Sequence, residues 1–269
     1  MTSFDRRVAV VTGGGSGIGR ALALALARAK ARAVVVADLD EPAAADTAAG
    51  IAALGAEALA VRTDVADRAQ VEALAARVTE RFGAPHVLCN NAGVAVYGEL
   101  ERATWEDWQW AIGVNLWGVV HGLLSFLPRM IAAGEGGHVV NTASMAGLIP
   151  SQGLGVYTTT KYAVVGLSET LARDLRPHGI GVTVICPMGV ATRIRDSERG
   201  RPPALRNPAG GPPPRPVTLI GRTLDPDEVA RQTLAAVRAG QLYVITHDEA
   251  LEPLRRRFAR LERAVRERP

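Results

Sequence analysis

The chain has 269 residues, of which 48% are hydrophobic and 22% are charged, an ordinary composition for a soluble globular protein. No unbroken apolar run approaches the 18 or so residues that a membrane-spanning helix needs, and residues 1–7 contain polar residues and no apolar signal-peptide core. We therefore expect a cytoplasmic protein with no membrane partner. Cys89 and Cys186 are too few for a disulfide framework and lack zinc-ligand spacing, so we expect buried thiols and no metal site.

The formal net charge of +4 raises the possibility of a nucleic-acid partner. However, the arginines are spread along the chain, and neither interleaved aromatic residues nor a known binding motif accompanies them, so we expect no nucleic-acid partner. The one dense basic group, at residues 255–268, alternates with apolar residues at helical spacing. This pattern predicts a C-terminal amphipathic helix at about residues 248–267 with a solvated basic face.

Short runs of β-branched residues alternate with Ala- and Leu-rich stretches along the chain. The predicted strands are residues 8–11, 33–37, 58–62, 87–89, 138–142, 182–185 and 242–245. The predicted helices are residues 21–29, 42–54, 68–82, a helix that opens with a capping box at 104–107, 112–131 and 155–175. The alternation predicts an α/β fold, a doubly wound Rossmann-type parallel sheet with helices on both faces, in a single domain over residues 1–269.

Residues 199–216 interrupt this alternation, because they carry seven prolines and three glycines. A long irregular loop inside a compact domain is usually functional or disordered. We expect residues 190–222 to form a substrate lid, with 199–216 poorly ordered without substrate and their arginines solvated. A permanently disordered surface insertion is the alternative.

The turn after the first predicted strand is rich in glycine. Gly13, Gly17 and Gly19 allow a tight turn, close approach of the backbone to a pyrophosphate, and close packing of the next helix. Ser16 and Ile18 lie in the same turn, and the N-terminus of the helix presents free N–H groups to phosphates. The turn is predicted to bind a dinucleotide.

Asp38 ends the second predicted strand, 19 residues beyond Gly19. This is close to the spacing of the acid that binds the adenosine ribose in dinucleotide-binding folds. A carboxylate at this position would repel a 2′-phosphate, and no basic residue stands at Ser16 or Leu39 to offset the repulsion. Asp38 therefore favours NAD over NADP.

Tyr157 and Lys161 lie one helical turn apart and share a face of a predicted helix. A phenol normally titrates near pH 10, and a nearby ammonium group lowers that pKa. Tyr157 is therefore predicted to exchange a proton with an alcohol or a ketone while hydride moves to or from a nicotinamide.

The motifs together resemble those of the short-chain dehydrogenase/reductase family, over about residues 6–245. The glycine spacing is Gly-x-x-x-Gly-x-Gly, Asn90-Asn91-Ala92-Gly93 follows the fourth strand, and Ser144, Tyr157 and Lys161 give Ser-x12-Tyr-x3-Lys. The resemblance implies that Ser144 binds the substrate oxygen, that Lys161 also holds the nicotinamide ribose, and that Asn115 anchors a water in a proton relay.

The resemblance also assigns cofactor contacts. It places Asp64 and Val65 at the adenine; Asn91, Ala92 and Gly93 in the cofactor groove; and Pro187, Gly189, Val190 and Thr192 at the nicotinamide, with Thr192 binding its carboxamide. One residue departs from the family pattern, because Met188 stands where a glycine usually follows the proline. The shape of that turn is left open.

The residues and the resemblance predict an NAD-dependent oxidoreductase that acts on a secondary alcohol or ketone of mid-sized apolar or cyclic type. The alternatives are an NAD-binding regulatory protein without turnover and a 3-oxoacyl reductase-like enzyme that uses NADP. The resemblance implies a homo-oligomer, most often a tetramer, that pairs the helices at 112–131 and 155–175 across two-fold axes.

Overall fold

The structure is a computed structural model that describes residues 3–207 and 221–267. Its centre is a sheet of seven parallel strands in the order β3-β2-β1-β4-β5-β6-β7. The strands are β1 (Val8–Thr12), β2 (Ala33–Asp38), β3 (Glu57–Arg62), β4 (Val87–Asn90), β5 (Gly137–Thr142), β6 (Ile180–Cys186) and β7 (Tyr243–Ile245). The predicted doubly wound fold is confirmed.

Helices cover both faces of the sheet. They are α1 (Gly17–Arg28), α2 (Glu41–Ala53), α3 (Arg68–Phe82), α4 (Trp105–Ile112), α5 (Gly118–Ala133), α6 (Gly155–Asp174), α7 (Pro226–Ala239) and α8 (Leu251–Arg266). Alternate strand residues supply the two cores: Val8 and Val10 of β1 pack with α3, α5 and α6, whereas Ala9 and Val11 pack with α1, α2 and α7. Because both faces are covered, the central strands are apolar throughout.

The strand order reverses at β1, which pairs with β2 on one side and with β4 on the other. In open parallel sheets, ligands bind in the crevice at such a reversal, beyond the carboxyl ends of the strands. The loops that follow β1, β2, β3, β4, β5 and β6 all open at this edge, so the fold brings the sequence motifs to one place.

Helices α4 and α5 form one continuous helix through a π-helical turn, Gly113–Trp117. The helix begins with the predicted capping box, in which Thr104 and Asp107 each bind the other's backbone N–H. The whole helix Trp105–Ala133 is long and apolar enough to span a membrane by length and composition, which the lack of an unbroken apolar run did not predict. Half of its most apolar stretch is buried inside the protein, as in the core helices of soluble proteins.

Of two further predictions, one is confirmed and one is not. Cys89 and Cys186 are buried free thiols, as predicted. In contrast, α1 begins at Gly17, four residues before the predicted start, because packing against the sheet overrides the low helix propensity of glycine.

Candidate active site

The loop between β1 and α1 is shaped by close backbone contacts. A Cβ atom on Gly19 would lie 2.1 Å from the carbonyl oxygen of Gly13 and 2.5 Å from Nδ2 of Asn91, so no other residue fits there. Ser16 precedes α1 and makes no side-chain capping bond to it. The first N–H groups of α1 therefore remain available to an anion at the mouth of the loop.

Asp38 and Asp64 stand beyond β2 and β3 at one end of the crevice. The Asp38 carboxylate accepts hydrogen bonds from the backbone N–H of Gly15 at 2.8 Å and of Asp40 at 3.0 Å. These two bonds fix its orientation and join the glycine-rich loop to the end of β2. The Asp64 carboxylate accepts from the N–H of Ala66 at 2.9 Å. Both side chains line the cleft.

Asn91 is the central connection between the strand ends. Its Nδ2 donates to the carbonyl oxygens of Thr12 and Gly13 at 3.1 and 3.3 Å, and its Oδ1 accepts from the hydroxyl of Thr142 at 3.1 Å. The Thr12 hydroxyl in turn accepts from the N–H groups of Asn91 and Ala92. Thr12 and Thr142 were not among the predicted site residues, and their only signal in the sequence is that each is the last residue of a strand.

Ser144, Tyr157 and Lys161 meet at the middle of the cleft. Ser144 begins a 3₁₀ turn after β5, and its Oγ accepts from the N–H of Ala146 at 3.1 Å. Lys161 is 3% exposed; its Nζ donates to the carbonyl oxygen of Thr142 at 2.9 Å and lies 5.5 Å from the centre of the Tyr157 ring. The structure thus brings together a hydroxyl, a phenol and an amine.

Burial shifts the pKa values of Tyr157 and Lys161. It raises the pKa of Tyr157 to about 12, although a hydrogen bond with Ser144 lowers that pKa in part. It also lowers the pKa of Lys161 to about 8. The predicted lowering of the Tyr157 pKa is therefore wrong for the protein alone, because removal of the phenol from water raises that pKa. At neutral pH the pair consists of a neutral phenol and an ammonium group.

Asn115 lies behind the cleft, in the π-helical turn. Its Oδ1 accepts from the N–H of Val94 at 2.8 Å, and its Nδ2 donates to the Val94 carbonyl at 2.9 Å and to the Thr160 hydroxyl at 3.0 Å. A Cβ atom on Gly93 would lie 3.3 Å from Oδ1 of Asn115 and 3.4 Å from Nζ of Lys161. Both amide hydrogens of Asn115 are used within the protein, and Thr160 is a further partner that sequence analysis missed.

The turn after β6 is held by backbone hydrogen bonds to the loop before α7. The N–H of Leu224 donates to the carbonyl of Gly189, and the N–H of Ala191 donates to the carbonyl of Leu224, both at 2.9 Å. Met188 is not among the residues with positive φ, so this turn needs no glycine at that position. Its side chain instead extends toward Gly221 and lines the cleft.

Residues 193–207 cover the outer side of the cleft and are anchored to α4 by Arg201. The Arg201 guanidinium donates to Asp107 at 2.5 Å and to Glu198 at 3.1 Å, and lies 4.8 Å over the Trp110 ring. Arg201 is 3% exposed and Asp107 is 6% exposed. The expectation that the arginines of residues 199–216 stay solvated is wrong at Arg201, because a buried carboxylate pairs with it.

Two more bonds complete this anchor. The Asn207 amide donates to Asp107 at 3.0 Å, and the Ser197 hydroxyl accepts from the N–H of Ala95 at 3.0 Å. Burial alone would raise the pKa of Asp107, but hydrogen bonds from the Thr104 N–H, Arg201 and Asn207 hold that pKa below its ordinary value. Residues 208–220 of the predicted lid lie outside the described part of the chain.

All these loops enclose one cleft of about 880 Å³. Most of the predicted site residues line it, namely Gly13, Ser16, Gly17, Ile18, Asp38, Asp64, Val65, Asn91, Ala92, Gly93, Ser144, Tyr157, Lys161, Pro187, Gly189, Val190 and Thr192. Gly19 and Asn115 lie behind its wall. Within the described ranges, no group of three or more His, Cys, Asp or Glu is placed to hold a metal ion.

Comparisons with known proteins agree with this arrangement. Residues 7–202 match the family model described as short chain dehydrogenase. The C alpha-dehydrogenase of a Sphingobium strain is 34% identical over 263 residues, which is 96% of this chain and 86% of the relative. The chain belongs to the short-chain dehydrogenase/reductase family.

Solved structures match nearly the whole length of this short-chain dehydrogenase/reductase. A short chain dehydrogenase/reductase from Burkholderia phymatum in complex with NAD is 43% identical, with a TM-score of 0.91 over 97% of this chain and 96% of the other. The 3-ketoacyl-(acyl-carrier-protein) reductase of Brucella melitensis, complexed with NADH, is 28% identical, with a TM-score of 0.76 over 91% and 98% of the two chains. The protein is thus an oxidoreductase of this family.

Proposed function

We propose that the enzyme transfers hydride between NAD and a secondary alcohol or the corresponding ketone. The observation that carries the proposal is the placement of Tyr157 and Lys161 together on one face of α6, with Ser144 beside them at the wall of the cleft. A hydroxyl and a phenol at one point can hold an alcohol oxygen and exchange its proton.

The residues fit a dinucleotide along the whole crevice. The open N-terminus of α1 suits a pyrophosphate, Asp38 suits the two hydroxyls of a ribose, and the buried ammonium of Lys161 suits the hydroxyls of the second ribose. When bound, the nicotinamide supplies the hydride or accepts it. Residues 13, 16–18, 38, 64, 65, 91–93, 187, 189, 190 and 192 would hold the cofactor.

In the direction of reduction, the neutral phenol of Tyr157 donates its proton to the carbonyl oxygen, and the Ser144 hydroxyl donates a hydrogen bond to the same oxygen. In the direction of oxidation, Tyr157 accepts the proton of the alcohol. Lys161 supplies positive charge that favours the phenolate during the transfer, and Asn115 holds the turn next to Lys161 and Thr160. A water relay anchored at Asn115 is part of this proposal.

The substrate that we propose is a mid-sized apolar or cyclic alcohol or ketone. Apolar side chains line part of the cleft, among them Val94, Trp110, Met188 and Leu205. Residues 190–222 are proposed to act as a lid over this part. A panel of secondary alcohols, assayed by the absorbance of reduced nicotinamide, tests the reaction class; no turnover with any member would favour an NAD-binding regulatory protein.

A 3-oxoacyl reductase-like activity with NADP is the second candidate, since the Brucella neighbour is a 3-ketoacyl reductase. The orientation of Asp38 supports NAD instead. We expect wild-type kcat/KM to be higher with NAD than with NADP, and the double variant Asp38→Ser, Leu39→Arg to shift the ratio toward NADP by at least tenfold, because it replaces repulsion of a 2′-phosphate by attraction.

Asp38→Asn is the matched control for that experiment. It keeps one side-chain oxygen, which can accept from the N–H of Gly15 or from that of Asp40, and it removes the charge without introducing a basic residue. The ratio is expected to shift in the same direction by a smaller factor. A wild-type enzyme that prefers NADP would contradict the assignment of Asp38.

The rate of ketone reduction is expected to depend on the charge of Lys161. Because burial lowers the pKa of Lys161 to about 8, kcat/KM for reduction should be level below pH 7 and fall as the pH rises through about 8, where the ammonium loses its proton. Tyr157 stays protonated over this range, since its pKa is about 12. A pH profile that is level up to pH 10 would contradict the proposed role of Lys161.

We also propose a cytoplasmic homotetramer. Trp117, Leu124 and Ile131 are exposed and recur every seven residues, so they form one apolar stripe along the π-helical turn and α5. A stripe of this kind supports pairing with α5 of another copy across a two-fold axis.

A further inference from the structure

The C-terminal helix α8 extends for 16 residues without burying any of them. Leu251, Phe258, Leu261 and Val265 are exposed by 54%, 53%, 49% and 62%, and Leu254 is partly exposed. An isolated helix of this length is marginal in water, because most helix stability in proteins comes from packing of an apolar face. Within residues 3–207 and 221–267, no surface fully covers the apolar side of this helix.

The spacing of the five apolar residues indicates what kind of surface this face of α8 would pack against. Positions 251, 254, 258, 261 and 265 are separated by three, four, three and four residues, which is the a/d pattern of a coiled coil over two heptads. A helix that packs on a globular core usually carries a wider apolar stripe. The narrow stripe formed by these five residues, which we call the seam, is suited to packing against a second helix.

The charged residues beside the seam indicate which helix pairs with α8. Arg255 and Glu262 occupy equivalent positions, each directly after a d residue. In an antiparallel pair of identical helices these positions face each other, so Arg255 of each copy meets Glu262 of the other. Of the described residues, no carboxylate lies within 4.0 Å of Arg255, whereas Glu262 contacts only the exposed Arg266, at 3.8 Å.

The parallel arrangement would use Arg257 in place of Arg255. However, the Arg257 guanidinium already lies over the rings of Tyr162 and Phe258 of its own chain, at 5.4 and 5.7 Å. The antiparallel arrangement leaves those contacts intact and gives a carboxylate partner to Arg255, which has none among the described residues. We propose that α8 pairs antiparallel with α8 of a second copy of this chain, across a two-fold axis.

In this pairing Phe258 packs on Leu261 of the second copy and Leu254 packs on Val265 of the second copy, and the two-fold axis repeats both layers.

An anionic bilayer is the other surface that a basic amphipathic helix could cover. The position of Glu262 beside the seam argues against it, because its carboxylate would face the lipid phosphates. The residues of this interface are different from those of the stripe on α5.

The test compares two substitutions that each place arginine on α8. Leu261→Arg changes the seam, and Ala259→Arg changes the neighbouring position outside it. In sedimentation velocity and light scattering from 1 to 100 µM, Leu261→Arg is expected to halve the mass of the assembly, and Ala259→Arg is expected to leave it unchanged. A wild-type monomer, or a mass that Leu261→Arg does not change, would overturn the proposal.

A charge exchange tests the partner and the orientation. Glu262→Arg and Arg255→Glu are each expected to weaken association on the order of tenfold, because two symmetry-related pairs become repulsive, and the double variant is expected to restore it. Rescue of Glu262→Arg by Arg257→Glu instead would overturn the antiparallel arrangement. Sedimentation of wild type, but not of Leu261→Arg, with vesicles containing phosphatidylglycerol would identify a bilayer as the occupant. These measurements use no substrate, so they succeed or fail independently of the proposed function.

Discussion

Replacement of Tyr157 by phenylalanine is expected to lower kcat at least a hundredfold while NAD binding changes by less than about threefold. We propose that the phenolic oxygen exchanges the substrate proton, whereas the contact with Lys161 involves the ring, which the variant keeps. Steady-state turnover with a secondary alcohol and NAD titration by calorimetry measure the two quantities separately.

Tyr162→Phe is the matched control for Tyr157→Phe. Tyr162 lies on the same helix, and its hydroxyl donates to the carbonyl of Leu148 at 2.7 Å, away from the cleft. Loss of that hydroxyl is expected to lower stability slightly and to leave kcat within about twofold of wild type. A Tyr157→Phe enzyme that kept more than a tenth of wild-type turnover would contradict the assignment of Tyr157.

Asp107→Asn is expected to lower the free energy of unfolding by about 3–5 kcal/mol, because it removes the buried carboxylate that pairs with the Arg201 guanidinium and leaves only the exposed Glu198 as an acidic partner. The same change should loosen residues 193–207, which form the outer wall of the cleft, and raise KM more than it lowers kcat. Denaturant unfolding gives the stability, and limited trypsin digestion reports on the segment, whose arginines are cleavage sites.

Glu198→Gln makes the same chemical change at the other acidic partner of Arg201. The Glu198 side chain is 66% exposed, so its ion pair is screened by solvent and its loss is expected to cost less than about 1 kcal/mol. If Asp107→Asn and Glu198→Gln were equally stable and equally resistant to trypsin, the buried pair would not be what anchors the segment.

Those parts of the fold and of the candidate site that depend on local pattern could be predicted from the sequence. Apolar runs bounded by turns marked every strand, because strands covered on both faces must be apolar throughout. The glycine-rich turn and the Tyr157–Lys161 spacing were visible because their chemistry requires fixed residue types at fixed separations. The parallel topology then explains why motifs more than 100 residues apart along the chain line one cleft.

The properties that sequence did not predict arise from distant contacts. The pKa of Tyr157 depends on how far the phenol is removed from water, which the neighbouring ammonium does not reveal. Arg201 stands in a stretch whose prolines and glycines indicate disorder, and only its contact with Asp107, 94 residues away, makes it a buried anchor. The tolerance of the turn for Met188 likewise depends on its backbone geometry.

The π-helical turn at Gly113–Trp117 has a consequence for the two halves of the helix that it joins. One extra residue in a turn advances every later side chain by about a quarter to a third of a revolution around the axis. The half before the turn can therefore direct Trp110 and Ala111 inward beside Leu205, while the half after it directs Phe126 and Met130 into the sheet and leaves Leu124 outward. Deletion of one residue at this turn would leave a helix of nearly the same composition. The side chains of α5 would then point in different directions, so that its apolar residues would no longer face the sheet.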